Sequence, residues 1–374
     1  SSFVCSNERL NRLHQVCRRT FRANLQSVQS DCPGREKFGY GGDMACTSDA
    51  FWSNYDMRGF YRKTIRDFID EASVNGWITE TAPYVGLASN PVVPRKNVRE
   101  RGAAPMGWAV GVPVLLDGLI RYAGDFEIVA EAYPTLKRYI ELVHARYPSN
   151  DIPECLGDWI PAVETEKADE KMSALAHWHQ FVGLTAKFAK LLGRNDDAEC
   201  YSKLADVISS KFRREYVRAG VVCKGNQGDQ LFGLWHGMLL SNDVPRAYAH
   251  LKADITRRGN ALTTGIFATK YLLEYLPAHG DWELAGQVVS HVGYPGWFNM
   301  IDNDATTLWE HWDESQCKDV HSNCHPMFGS VDEWMIRHIL GVSICEDAIG
   351  CDKVKIVPHS VAGVTSASGW FDTP

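Results

Sequence analysis

The chain has 374 residues, of which 45% are hydrophobic and 23% charged. These proportions exclude a disordered tail, a collagen-like fibre and a low-complexity array. Acidic residues outnumber basic ones, 46 to 39, and the basic clusters are short (Arg18-Arg19 and Arg95 to Arg101), so no nucleic-acid partner is expected. No run of about 18 apolar residues occurs, so no membrane-spanning helix is expected. The unusual feature is aromatic. Twelve Trp accompany 14 Tyr and 15 Phe, and Trp suits sites where an apolar face meets a polar ligand.

The chain opens at Ser1 without Met or a signal-peptide pattern, and helix begins almost at once, so an excised or processed piece is expected. Leu10, Leu13, Val16, Cys17 and Phe21 recur at three-to-four spacing and predict a helix over 7–29. Further helices are predicted over 44–54, 58–73, 107–123, 126–147, 170–192, 196–215, 230–240, 245–258, 265–276, 281–292 and 330–340. Asp196 and Asp281 read as starts, and Gly124 and Gly341 as stops. Twelve helices without a visible repeat fit six hairpins closed into an (α/α)6 barrel, an all-α fold. A solenoid of the same helices is the alternative. Lys353 to Val357 alternates polar and apolar residues as a strand does. The expected organisation is a barrel over 1–342, with 343–374 either the start of a truncated C-terminal β domain or an edge folding back on the barrel.

Two acidic constellations carry the chemistry. In the first, Asp31-Cys32-Pro33-Gly34-Arg35-Glu36-Lys37-Phe38-Gly39-Tyr40-Gly41-Gly42-Asp43, Pro and Gly force a tight turn holding three carboxylates and one Arg. Arg35 is suited to hold one carboxylate, leaving a neighbour with the raised pKa that a general acid needs. A solvated loop before a helix is the bland alternative. In the second, Asp304 to Asp313, Glu310 lies between Trp309 and Trp312. Carboxylates beside aromatic platforms suit a sugar, which has apolar faces and a hydroxyl rim. Trp108, Trp159 and Trp297 each follow a Gly turn and are expected on a binding surface, whereas Trp52, Trp77, Trp235 and Trp334 are expected to pack.

Cys317, His321, Cys324 and His325 are too compressed for a structural zinc site, and His325 is expected to contact substrate instead. Of His177 and His179, at most one can reach a site. The eleven scattered Cys read mostly as buried free thiols. Dinucleotide, P-loop, zincin and serine-hydrolase motifs are absent from the sequence.

The run from Asp31 to Asp43 resembles the signature of the α-L-rhamnosidases of glycoside hydrolase family 78, and Asp304 to Asp313 resembles that family's second carboxylate motif. Leu262 to Gly265, Tyr294 to Trp297, Gly157-Asp158-Trp159 and His325 to Trp334 continue the resemblance in order. It implies an (α/α)6 catalytic barrel between β domains of the same full-length chain. It also implies hydrolysis of a rhamnose-containing glycoside or polysaccharide with inversion, without metal or organic cofactor. Carried over, Glu36 is the general acid and Glu310 the general base. Asp31, Arg35 and Asp43 bind sugar hydroxyls and hold Glu36, while Trp108, Asp158, Trp159, Trp309 and His325 line the pocket. Three positions depart from the pattern: Asp304 replaces Gly, Val110 stands where the family often has Asp, and Tyr40 replaces Trp. A non-catalytic carbohydrate-binding barrel and a lyase using a Tyr or His base are the competing readings.

Overall fold

In the computed structural model, which describes residues 1–72, 75–86, 103–152, 156–313, 321–361 and 363–373, the predicted stripe from Leu10 to Phe21 is the buried face of α1 (Glu8–Asn24). Asn7 caps this helix by accepting the amides of Arg9 and Leu10. The helix stops short of residue 29. Asn24 turns its amide back to the Thr20 carbonyl, and a ribbon of β2 (Leu25–Gln26) and β3 (Val28–Gln29) reverses the chain about Ser27, whose φ is 65°.

Six helices form an inner ring: α2 (Gly41–Asn54), α5 (Gly111–Ala123), α7 (Glu170–Leu191), α9 (Gln227–Trp235), α11 (Ile266–Ala278) and α14 (Ser330–Trp334), the last running on into a π-type turn at Met335–Leu340. Every residue of α2 is buried, so it cannot be a surface helix. Each inner helix packs on the next, and α14 returns to α2, so the ring is closed. The outer layer is α1, α3 (Arg58–Ala72), α6 (Phe126–Arg146), α8 (Asn195–Tyr216), α10 (Val244–Arg257) and α12 (Trp282–Val289). These helices are one-sided: α10 buries only Ala247, Leu251 and Ile255, a single stripe. The expected (α/α)6 barrel is present, and ring closure excludes the solenoid.

The predicted helix over 107–123 is broken at Val110 into α4 (Met106–Ala109) and α5. Gly111 lies hard against Gly41 of α2, where a Cβ would stand 2.3 Å from the Gly41 carbonyl, and Pro113 has no amide to extend the earlier helix. The helix expected over 230–240 begins earlier, because the Asn226 side chain caps α9 by accepting the Asp229 amide at 2.7 Å. A short α13 (Trp297–Asp302) was not foreseen.

After residue 341 the chain forms β6 (Val342–Ile344), paired with β7 (Val354–Ile356) in the region predicted as strand. It ends in β8 (Ala367–Trp370), antiparallel to β1 (Ser2–Cys5) with Ser2 opposite Trp370. A further ribbon joins β4 (Val217–Arg218) and β5 (Val221–Val222). Among the described residues no helix is long and apolar enough to cross a membrane. The nine described cysteines are free thiols, and Cys155 and Cys317 lie outside the described residues.

Between α2, α5, α11 and α14 the core holds buried charges. Lys270 Nζ lies 2.8 Å from Glu274, 3.0 Å from Glu333 and 3.3 Å from Asp49. Arg121 donates to Asp49 at 2.8 Å, and Arg337 approaches Glu333 at 2.7 Å. The carboxylates converge closely enough to hold a cation, and three basic side chains supply that charge. Burial raises the Glu333 carboxyl to about 7 despite Arg337 and Lys270.

Candidate active site

The first acidic constellation folds as a turn closed on itself. The Asp31 amide donates to the Phe38 carbonyl at 3.0 Å, and the Phe38 amide donates to Asp31 Oδ1 at 2.7 Å. Lys37, at φ 63°, makes the reversal. The Ala82 amide donates to the Gly39 carbonyl, and the Gly41 amide to the Glu80 carbonyl, pinning the turn to a neighbouring loop. Asp31 is buried, and burial raises its carboxyl above the ordinary range. Glu36 lies on the exposed crest, where the Tyr40 hydroxyl donates to its Oε2 at 3.1 Å. Arg35 is exposed and makes no ion pair among the described residues, so Tyr40 rather than Arg35 holds Glu36.

Tyr40 also opens α2, and Asp43 stands in its first turn. The head of α2 sits directly on Trp108: a Cβ on Gly42 would stand 2.7 Å from the Trp108 ring, so this contact admits only glycine. Asp43 Oδ1 is 2.9 Å from Nε2 of the buried His325. His325 Nδ1 lies 3.5 Å from Glu310 Oε2, an ion-pair distance longer than a good hydrogen bond. The Glu310 amide donates to the Ser322 carbonyl and the His325 amide to the Leu308 carbonyl, so 308–310 and 322–325 run as a cross-linked pair. Glu310 Oε2 also accepts the Ser322 amide at 2.7 Å, and its Oε1 is 3.1 Å from His321 Nδ1.

The charges follow from these contacts. Burial pushes the Glu310 carboxyl up, but His325, the Ser322 amide and His321 outweigh it and bring it down to about 2. Burial likewise opposes charge on His325, but Asp43 and Glu310 raise it to about 10. His311 lies against His321, tilted by 56° with ring centres 4.0 Å apart, and burial, then His321, lowers it to about 4.

The Asp158 carboxylate faces the start of α11. Its Oδ2 accepts the Gly265 amide at 2.7 Å, and its Oδ1 accepts the amides of Phe267 and Ala268, each at 3.0 Å. Burial raises this carboxyl to about 6. The Ile266 amide returns a bond to the Trp159 carbonyl. Trp159 is half-buried and meets Trp108 edge-on at 6.2 Å. The other loop Trp residues differ from the surface placement expected. Trp108 and Trp309 are 3% and 4% exposed, and Trp297 is wholly enclosed against Trp312. Trp297 opens α13, Trp108 lies within the short α4 and Trp309 in a loop, and packing encloses all three, which a local turn signal cannot reveal. His177 is also enclosed, between Phe232 and Phe267, and burial lowers it to about 3.

Asp304 has φ 59°, the left-handed conformation that glycine adopts freely and Asp tolerates. Its side chain points into solvent beside Arg12. The additional charge is therefore turned outward. Tyr40 and His321 were not foreseen as partners of the two glutamates. Tyr40 lay four residues from Glu36, and His321 was visible only as part of a zinc-like spacing.

A closed ring of six helical hairpins, with two carboxylate-bearing loops joined at the head of an inner helix, is the form of a six-hairpin glycosidase domain. Residues 1–339 match the family described as the bacterial alpha-L-rhamnosidase 6 hairpin glycosidase domain, and the chain belongs to this family. It is similar to an alpha-L-rhamnosidase of Formosa agariphila, 27% identical over 390 residues, covering 100% of this chain and 40% of that protein. Among solved structures it resembles the alpha-L-rhamnosidase of Dictyoglumus thermophilum (TM-score 0.87, 30% identity, covering 98% of this chain and 40% of that one). It also resembles that of Streptomyces avermitilis solved with L-rhamnose (TM-score 0.87, 27% identity, 98% and 35%). The chain thus spans about 40% of the length of the first two of these relatives.

Proposed function

We propose that this chain is the catalytic barrel of an inverting exo-α-L-rhamnosidase acting on terminal α-L-rhamnosyl residues. The carrying observation is the contrast between its two glutamates, both tied to the head of α2. Glu310 is enclosed and held ionised by His325, His321 and the Ser322 amide. Glu36 stands exposed, and among the described residues the Tyr40 hydroxyl is its partner. An ionised carboxylate in a pocket suits a base that takes a proton from water. An accessible carboxyl suits an acid that protonates the leaving oxygen. In this reading Glu36 protonates the glycosidic oxygen while Glu310 deprotonates water on the opposite face of the ring, through an oxocarbenium-like transition state. Inversion requires the two carboxyl groups about 6.5–9.5 Å apart, to admit that water. Asp31, Arg35, Asp43 and Trp159 then bind the sugar, with the enclosed Trp108 packed edge-on behind Trp159. Asp158 acts indirectly, because three amides engage its carboxylate.

The lyase reading needs a neutral His or Tyr as base. His325 is instead flanked by two carboxylates that favour its charged form. A binding-only barrel would bind sugar without releasing product. A panel of aryl glycosides differing only in the sugar tests the assignment. Hydrolysis of the α-L-rhamnoside, lost by orders of magnitude in Glu310→Gln, is the expected result. Cleavage of fucoside or mannoside but not rhamnoside would sink it.

We also propose the division into a barrel over 1–342 and the start of a C-terminal β domain over 343–374. Val354, Ile356, Val357 and Trp370 are exposed apolar side chains on this segment, as suits a surface that another β layer covers.

A further inference from the structure

Asp43 and Glu310 reach His325 from different elements, the head of α2 and the loop after α13, and meet opposite nitrogens of one ring. The ring is 6% exposed, so water cannot replace either partner. A neutral imidazole has only one N–H and would present a lone pair to one of two carboxylates. Only the doubly protonated ring is attractive to both. Its backbone is also fixed, by the bond to the Leu308 carbonyl and by Pro326, which opens the following 3-10 turn.

We propose that His325 is a positioning residue: its doubly protonated ring, clamped between Asp43 and Glu310, keeps Glu310 ionised and aimed. This rests on the reading of Glu310 as the base. The groups facing this clamp are Asp31 and Asp43 beside His325, and His321 beside Glu310. His311 lies against His321, and Asp313 lies near His311. Burial pushes the Glu310 carboxyl up, and the nearby Asp43 charge acts in the same direction. The charge on His325 reverses it. A protonated Glu310 could not take a proton from water, so the clamp secures the base form across the working pH range. His325 need not touch the sugar for this role.

Two measurements on the full chain test the proposal. In the first, the imidazole Cε1 resonance of His325 is followed by NMR. In wild type it should hold the shift of a doubly protonated ring, without titrating, between about pH 5 and 8.5, and in Asp43→Asn it should titrate inside that window. Titration of the wild-type ring near its ordinary value, about 6.5, or the shift of a neutral ring throughout, would overturn the proposal. In the second, kcat/KM on an aryl α-L-rhamnoside is measured against pH. His325→Gln should move the acid limb upward by about one unit or more, a loss of roughly tenfold or more below the new limb, with KM little changed. An unmoved acid limb with a raised KM would make His325 a sugar contact instead. If His325→Gln fails to fold, the wild-type resonance decides alone. Glu310→Gln separates the two readings. Retained hydrolysis would remove Glu310 as base and the proposal with it. Lost hydrolysis together with a wild-type His325 titrating near 6.5 would keep the base and overturn the clamp alone.

Discussion

Asp158 accepts the Gly265 amide at 2.7 Å, joining the loop that carries Trp159 to the first residues of α11. Two more amides converge on the same carboxylate, so it caps α11 from a loop 107 positions earlier in the chain than Gly265. Asp158→Ala leaves three buried donors without this acceptor and should cost about 1–3 kcal/mol for each that finds no other partner. Urea unfolding measures the loss, and the KM for the rhamnoside should rise as Trp159 loosens. The titration has a definite sign. The folded-state carboxyl, at about 6, lies above its ordinary 3.8. Between these values the folded state holds more protons than the unfolded one, so this group favours folding more as pH falls through that window. Asp158→Asn lacks this titration. The stability advantage of wild type over Asp158→Asn should therefore grow from pH 7 to pH 4.

Tyr40 and Glu36 lie one helical turn apart in sequence, and a hydroxyl bond joins them. Tyr40→Phe removes that bond and leaves the ring. Glu36 then samples more orientations, and kcat should fall roughly fivefold, the equivalent of about 1 kcal/mol, with KM nearly constant. A stopped assay on an aryl rhamnoside is sufficient. No change in kcat would show that Tyr40 does not orient the acid.

Lys270 is the hub of the buried charges. Lys270→Met leaves Asp49, Glu274 and Glu333 with only Arg121 and Arg337 as cations. Loss of one partner from such a network should destabilise the fold by about 3–5 kcal/mol, measured by denaturant unfolding. Arg337→Met should act in the same direction, since Arg337 approaches Glu333, Glu274 and Asp49.

His177 gives a prediction for acid. Its folded-state value of about 3 lies below the ordinary 6.5 because burial resists its charge. Its contribution to stability is present above 6.5 and is lost as pH falls toward 3. His177→Leu fits the aromatic cage and cannot titrate. It should resist unfolding better than wild type at pH 4.5, with the difference shrinking by pH 7.5.

What the sequence made legible follows from how local each signal is. Amphipathic outer helices such as α1 were readable because one face meets solvent, and α10 showed its stripe for the same reason. The buried α2 has no polar face to mark it, and its first turn lay hidden within a Gly run. The break at Val110 depends on contact with Gly41, a residue about seventy positions away, which no local pattern encodes. In the site, the two carboxylate motifs were legible as motifs. Their linkage through His325 was not, because Asp43 and His325 are brought together only when α14 closes the ring onto α2. The Trp surplus suggested a binding surface, yet Trp297 and Trp312 pack the core. A turn signal reports backbone shape and leaves burial undetermined.

The assignment of Glu36 and Glu310 as acid and base on opposite faces of a rhamnosyl ring fixes the anomer released. It is tested most directly by proton NMR of the first minutes of hydrolysis of an aryl α-L-rhamnoside. β-L-Rhamnose should appear first and the α anomer only later, as mutarotation proceeds. Initial release of α-L-rhamnose would mean retention through a covalent intermediate and would contradict the roles assigned to both residues.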